Sequence, residues 1–443
     1  MIRRLVLCAL SAALVGAAPA AALTPVKIAP WHTIDDHDQS VDNAGRGVVV
    51  FPHGDHVWVA ATSPAGRLVT MSRIDSPPTG PNEMVAVQND AGDVLAGNVA
   101  FTGQKATGVG SARQPWTTRF AWGRPPPPSR FLSEADADAE SLRAAMRADG
   151  TVALAWTQRG LDEPGVPYVA VLPKEGTPTV TAVKGIPDAT PSSLFATTGG
   201  EFLVGWELDG SRLAITRVAA GGQVGAPEPI AGHGRSDARP RILVNAAGDQ
   251  AVVWQDEARG EIPSVRTATR RAGAPRFATQ VVARGRDRYV DAALGADGTA
   301  AVLLRRTAIR RKPPRGAQSA PRLRVVRRGP DGALAAPVEL PGRTFGDAQE
   351  EGAIKQQAKI TVAGDGSVVV AYDMLRRRTT AARVVRISPS GALRGLATVP
   401  ECSPLGLAGA ASGAGLLTMV CPRPYGKRSG EKQGGSVLTI PAP

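Results

Sequence analysis

An all-β chain, assembled from one small antiparallel sheet used repeatedly, is the fold class this sequence predicts. Three observations predict it. A glycine turn running into a short bulky strand recurs about every fifty residues. Both faces of that strand are apolar, so each copy needs cover on two sides. Glycine and proline are plentiful, 50 and 37 of 443 residues, and 43% of the chain is hydrophobic, enough for a core between many turns.

The first segment is a leader. Arg3 and Arg4 precede the apolar run "LVLCALSAALVGAA", and "APAAA" then offers small residues for cleavage after Ala20 or Ala22. The expectation is a signal peptide over 1–22, a mature single domain over 23–443, and a secreted or cell-envelope location. The run is too short and alanine-rich for a permanent membrane span, and no other segment is long and apolar enough for one. Cys8 follows Leu7 rather than a small residue, which argues against a lipid anchor. Loss of Arg3 and Arg4 lowers the net charge from +13 to +11.

Eight copies of the unit align on Gly45, Gly92, Gly150, Gly200, Gly248, Gly298, Gly366 and Gly413. Six positions after each glycine stand Phe51, Asn98, Trp156, Trp206, Trp254, Leu304, Tyr372 and Met419, and only Asn98 is not large and apolar. In "DGTVALAW", Val152, Leu154 and Trp156 share one face by the two-residue alternation, with Ala153 and Ala155 on the other. The repeated aromatic therefore reads as core wedged between sheets rather than as a sugar-binding cleft. Trp116 and Trp122, beside "GRPPPPSR", read as exposed contacts. Between glycines the pattern continues as loop, strand, tight turn and strand, as in "RLAITRVAAGGQVGAPEPI" and "RLRVVRRGPDGALAAPVEL". Each unit is thus four strands, A to D, with the glycine at the A–B turn.

Four-stranded sheets in series with no exposed end describe a β-propeller. Eight units consume the mature chain; seven blades is the alternative, if the unit at Gly92 is irregular. The last unit is one strand short, and "TPVKIAPWHTI" at the N-terminus supplies a strand to complete it and protect the edge. One stretch breaks the β pattern: "SEADADAESLRAAM" favours a helix, with Ser133 as its N-cap. Its alternate acids, Glu134, Asp136, Asp138 and Glu140, lack the glycine a calcium loop needs for its bend.

Over nearly its whole length this pattern resembles that of secreted bacterial β-propeller repeat proteins. The sialidase-type turn, Ser-x-Asp-x-Gly-x-Thr-Trp, is not met by "RADGTVALAW"; among the eight aligned turns the kelch double glycine occurs only at Gly199-Gly200; WD signatures are absent. None of these families lends functional residues.

Cys402 and Cys421 remain after the leader. A hairpin centred between Ala411 and Ser412 sets them opposite one another, so in an exported chain they form a disulfide.

Alternating strands send the A–B and C–D turns to one end of the sheets and the B–C and D–A loops to the other. The former are short. The long insertions, at about 305–321, 374–381, 422–434, 123–138 and 341–357, are nearly all B–C or D–A, and function on repeat scaffolds favours the elaborated side. That side is basic. Residues 305–328 include ten Lys or Arg and no acid. The binding candidates are Arg310, Arg311, Lys312 and Arg315, then Arg376, Arg377 and Arg378, then Arg423, Lys427 and Arg428. Such loops attract polyanions; solvated loops with Asp347, Glu350 and Glu351 nearby explain the same charge without a ligand. Sparse aromatics leave no stacking platform for single-stranded nucleic acid.

Other chemistry is weakly marked. His32, His37, His53 and His56 lie among Asp35, Asp36, Asp38 and Asp55, without metal-ligand spacing, and read as polar turn residues. There is no G-x-S-x-G, His233 is alone in its region, and no phosphate loop occurs. No catalytic residue, metal or cofactor is assigned. The expectation is a monomeric, non-catalytic binding or scaffold protein with no membrane span. Its partner is an extracellular or cell-envelope protein, a glycan or an anionic polymer. The alternative is a carbohydrate-active hydrolase or lyase with acids in a central funnel.

Overall fold

The computed structural model describes residues 23–29, 37–53, 56–75, 83–104, 111–133, 138–160, 163–208, 212–230, 240–256, 262–306, 322–342, 358–376, 379–422 and 433–443. Among them there are strands and no helix. In chain order these are β1 (Val26–Ala29); β2 (Asp38–Val41), β3 (Gly47–His53), β4 (His56–Thr62), β5 (Leu68–Ile74); β6 (Val85–Gln88), β7 (Asp93–Gln104), β8 (Ser111–Ala121), β9 (Arg130–Phe131); β10 (Asp138–Met146), β11 (Val152–Arg159), β12 (Val166–Leu172), β13 (Thr179–Ala182); β14 (Thr190–Ala196), β15 (Phe202–Glu207), β16 (Leu213–Val218), β17 (Glu228–Ile230). They continue as β18 (Arg241–Val244), β19 (Gln250–Asp256), β20 (Ser264–Arg270), β21 (Ala278–Arg284); β22 (Asp287–Leu294), β23 (Ala300–Arg306), β24 (Arg322–Arg328), β25 (Val338–Glu339); β26 (Lys359–Val362), β27 (Val368–Arg376), β28 (Thr379–Ile387), β29 (Leu393–Pro400); and β30 (Ser403–Gly409), β31 (Gly415–Pro422), β32 (Gln433–Ile440).

These strands pair in consecutive four-stranded sets, ordered A-B-C-D. The second and third sets, β6–β9 and β10–β13, are joined into one eight-stranded sheet by a parallel pairing of Asp138 with Arg113, where the side chains also form an ion pair at 2.6 Å. The last set is β30, β31 and β32 with β1 added beyond β32, Val26 facing Val437.

Every A–B turn has the same construction. The amide of the turn glycine donates to the carbonyl three residues back, as Gly150 does to Arg147, and the N–H of the residue before the turn donates to the carbonyl four residues ahead, as Arg147 does to Thr151. This is a type I turn followed by a left-handed residue, the G1 bulge. The eight turn glycines have φ between +75° and +88°, a region that costs glycine nothing and strains other residues. That is why glycine recurs there.

The repeated large residue is buried between consecutive sets. Trp206 packs with Phe202 and Val204 against Ala153 and Ala155 of the preceding set, large against small. Leu203 on the opposite face packs against Ile242 of the next set. Gly205 shares that face, and a Cβ there would lie 2.8 Å from Ile242 Cδ1, so Ile242 packs into the space that the missing side chain leaves. Trp156, Trp254, Leu304, Tyr372 and Met419 occupy the equivalent interfaces. Phe51 packs with Val49 against Leu416 and Val437 of the last set and Ile28 of β1.

Four expectations change. Residues 138–146 are strand β10, not a helix: Ala139, Leu142 and Ala145 are buried, and β10 pairs with β11 across a bulge between Glu140 and Arg143. Helix propensity yields here to the pairing demand of a neighbouring strand. Trp116 is fully buried and Trp122 is half-buried, its indole N–H donating to the Gly47 carbonyl at 3.2 Å. The reason lies in Asn98, whose partner across β7 and β8 is Trp116. Strand C supplies the large side chain that strand B lacks in this set, and it packs in the same interface as Val94 and Ala96. The segment 123–138 is not one D–A loop, because β9 pairs with β8, so residues 122–129 form a C–D connection at the turn-glycine end. The 374–381 loop is shorter than expected, since β27 and β28 run on to pair Arg376 with Thr379.

Cys402 and Cys421 form a disulfide across β30 and β31. No helix of the described residues is long and apolar enough to cross a membrane.

Candidate functional site

The A strands touch one another in succession. β2 contacts β6, β6 contacts β10, and so on through β14, β18, β22 and β26 to β30, which contacts β2. Hydrogen bonds tie neighbouring A–B turns together as well. Thr198 N–H donates to the Ala246 carbonyl at 2.7 Å and Gly364 N–H to that of Ala411 at 2.7 Å, while Ser412 N–H donates to Asn43 Oδ1 at 3.0 Å.

Seven residues before each turn glycine lies one equivalent position on the A strand: Asp38, Val85, Arg143, Ser193, Arg241, Asp291, Lys359 and Gly406. It is the first residue of β2, β6, β18 and β26, so the tier lies toward the D–A end, away from the turn glycines. Four of these side chains reach across to the next A strand. Asp38 Oδ2 accepts from Ala86 N–H at 2.8 Å, and Asp291 Oδ2 accepts from Ile360 N–H at 3.2 Å, the same contact in two places. Arg143 Nε donates to the Ser192 carbonyl at 3.4 Å. Arg241 forms an ion pair with Asp291; the guanidinium side chain is 48% exposed and the carboxylate 7%.

The electrostatics are uneven. Arg143, Arg241 and Lys359 bring three cations to the third, fifth and seventh sets, against two carboxylates in the tier, Asp38 in the first set and Asp291 in the sixth. Burial holds the Lys359 ammonium below the usual lysine range, and the like charge of Arg241 adds to it. Lys359 has no ion-pair partner among the described residues. Burial pushes the Asp38 carboxyl up to about 6, against the opposing pull of amide donors Ala86 and Gln39 and of the Arg143 charge. The arrangement suits an oxyanion better than a metal, and no cluster of three or more metal-ligating side chains occurs among the described residues.

Of the sequence-predicted binding residues, Arg310, Arg311, Lys312, Arg315, Arg377, Arg378, Arg423, Lys427 and Arg428 lie outside the described residues. Arg376 ends β27. The connections that carry them, 307–321, 377–378 and 423–432, each join strand B to strand C. At the root of the first, Arg324 is bound to the buried Asp287 by an ion pair and so is committed to the fold. The histidines make ordinary contacts: His37 Nε2 lies 2.5 Å from Thr418 Oγ1, and His53 stands edge-on to Trp58. The tier itself was missed in the sequence because the units were compared forward from the glycine; counting seven residues back finds it.

Neither the known protein-family patterns nor the curated protein sequences match this chain. Solved structures do. The BP39L lectin from Burkholderia pseudomallei aligns with a TM-score of 0.51 at 13% identity, over 84% of this chain and 100% of the lectin. A structure from a study of two prolyl endopeptidases aligns with a TM-score of 0.51 at 11% identity, over 87% of this chain. This chain spans about half the length of that peptidase, 54%. Likeness at such identities is a likeness of fold. The class it defines, with the four-stranded sheets, is an all-β, propeller-like protein.

Proposed function

We propose that this chain is an exported, non-catalytic binding protein, a closed eight-bladed propeller over residues 23–443 whose first strand completes the last blade. Its ligand is an acidic glycan or a similar extracellular polyanion, taken at the end that carries the B–C and D–A connections. The observation that carries this reading is the tier of Arg143, Arg241 and Lys359 at that end of the A strands. In a closed ring the tier surrounds the axis, and strands β23, β27 and β31 end on the same side, at or just before the sequence segments that carry Arg310, Arg311, Lys312 and Arg315, Arg376, Arg377 and Arg378, and Arg423, Lys427 and Arg428. Converging cations with low-dielectric walls raise the local concentration of an anionic ligand. The unbroken succession of A-strand contacts and the bond between Ser412 and Asn43 support closure. The alignment with a complete lectin supports a binding role for the scaffold. Export rests on the leader and on the disulfide.

A binding array of glycans and anionic polymers, run on the mature protein at two salt concentrations, tests the proposal. Uronate- or sulfate-bearing ligands are expected to bind, and to weaken as salt rises. Replacing Arg310, Arg311, Lys312 and Arg315 by Ala should lower affinity further. Absent or salt-insensitive binding, or binding unchanged by those replacements, overturns it. Asp38, with a carboxyl that burial pushes up to about 6, gives one specific foothold to a second reading, a carbohydrate-active hydrolase or lyase. That reading requires glycan cleavage abolished by Asp38→Asn.

A further inference from the structure

The last residue of strand C pairs with the first residue of strand B, and most sets fill the position with a small or apolar side chain. Leu172 faces Val152, Val218 faces Phe202, Ile387 faces Val368 and Ile440 faces Gly415, and all four C-strand residues are fully buried. Two adjacent sets depart from this. In the fifth the pair is Gln250 with Arg270, and in the sixth Ala300 with Arg328. Each arginine reaches the D strand of the preceding set at the same place. Arg270 meets Glu228 of β17, and Arg328 Nε donates to Gln280 Oε1 of β21 at 3.0 Å.

The two arginines are not equally satisfied. Arg270, 8% exposed, is neutralised by Glu228, held by Gln250 Oε1 at 2.8 Å and stacked on the Phe277 ring at 4.5 Å. Arg328 has a neutral amide where Arg270 has a carboxylate. A guanidinium placed where the repeat otherwise keeps hydrocarbon is costly unless it is paired. The Arg328 guanidinium is accordingly held below its usual range, chiefly by burial, with the charge of Arg271 adding to the effect and that of Asp331 opposing it.

A cavity of about 230 Å³ lies beside Arg328, at the turn-glycine end between the fifth and sixth sets. Its walls include Arg271, Arg276, Thr269 and the turn residues Gly298 and Pro330. Arg271 is fixed across it, with Nη1 on Asp249 Oδ2 at 2.8 Å and Nη2 donating to the Pro330 carbonyl at 3.1 Å. Asp249 is already saturated by Arg271, Asn245 and the Ala272 amide. Asp331 accepts from Ala333 N–H at 3.0 Å. Arg276 is exposed and makes no ion pair among the described residues. Positive charge therefore exceeds negative in a walled cleft. At about 30 Å³ per water the cleft holds roughly seven or eight waters, less than a drug-sized ligand needs.

We propose that this cleft binds an oxyanion, the carboxylate or phosphate of a molecule no larger than a monosaccharide, between Arg328 and Arg276. It is a second site, at the end of the sheets opposite the basic loops. The test is calorimetric titration of the mature protein with inorganic phosphate and, separately, with glucuronate, at constant ionic strength. Saturable binding of phosphate alone identifies a phosphate site, and tighter binding of glucuronate identifies an acidic-sugar site. Arg328→Met should weaken the tighter probe roughly tenfold or more, the worth of a charged hydrogen bond, and Arg276→Ala should weaken it to a lesser degree. If Arg328→Met does not fold, the exposed Arg276→Ala decides the matter. The four-fold alanine variant of Arg310, Arg311, Lys312 and Arg315 should leave this binding unchanged, which separates it from the polyanion reading. Failure of both probes to saturate, or binding unaltered in both single variants, overturns the proposal.

Discussion

Replacing Trp206 probes the wedge on which the whole architecture rests. Its side chain is fully buried against Ala153 and Ala155, and its indole N–H donates to Thr216 Oγ1 at 3.0 Å in the same buried layer. Truncation of a buried Trp to Ala costs about 3–5 kcal/mol through lost transfer energy and the cavity left behind. The abandoned Thr216 hydroxyl adds about 1–3 kcal/mol. Trp206→Ala should therefore cost roughly 4–8 kcal/mol, a large fraction of the 5–15 kcal/mol typical of a whole domain. Trp206→Phe keeps most of the apolar contact and should cost about 1–3 kcal/mol, mainly the orphaned hydroxyl. Adding Thr216→Val to Trp206→Phe removes that orphan, so the double variant should be more stable than the two single losses predict. Urea unfolding of residues 23–443, with midpoint and slope fitted separately, measures each corner of the cycle. A loss below about 1 kcal/mol for Trp206→Ala would falsify the claim that this side chain wedges two sheets together, and strict additivity in the cycle would refute the stabilising bond to Thr216.

Two further predictions concern stability. Because the Asp38 carboxyl has a folded pKa of about 6, above its unfolded value of 3.8, its contribution is favourable at acid pH and is lost as pH rises from about 4 through 6. Asp38→Asn should therefore flatten the pH dependence over that window and gain about 1–3 kcal/mol at pH 7, with the amide oxygen still accepting from Ala86; equal pH profiles for both proteins would refute the shift. Reduction of the Cys402–Cys421 disulfide, which closes a separation of 19 residues, should cost about 3 kcal/mol and lower the urea midpoint, and Cys402→Ser with Cys421→Ser should mimic it without reductant.

Much of this architecture could be read from the order of residues. The turn glycines announce themselves because only glycine enters the left-handed region without strain, so each A–B turn leaves the same mark. The alternation after each glycine assigns two buried faces to strand B, and the cysteine spacing about the hairpin brings Cys402 to Cys421. These are local consequences of backbone geometry, expressed within a few residues of their cause.

Other features depend on neighbours distant in sequence, and only the assembled structure decided them. Asn98 looked like a defect in the repeat until Trp116, on the next strand, was seen to occupy the same interface. Residues 138–146 have a helical composition, yet they pair with β11 because an unpaired strand edge in the core costs more than their propensity gains. The pairing of Arg241 with Asp291, and the unequal partners of Arg270 and Arg328, have no signature in any single unit. The sequence alone determined the repeated unit, since turn and alternation are properties of one short segment. Where charge gathers was left to the tertiary structure, because burial and pairing are set by side chains from separate units brought within a few ångströms of one another.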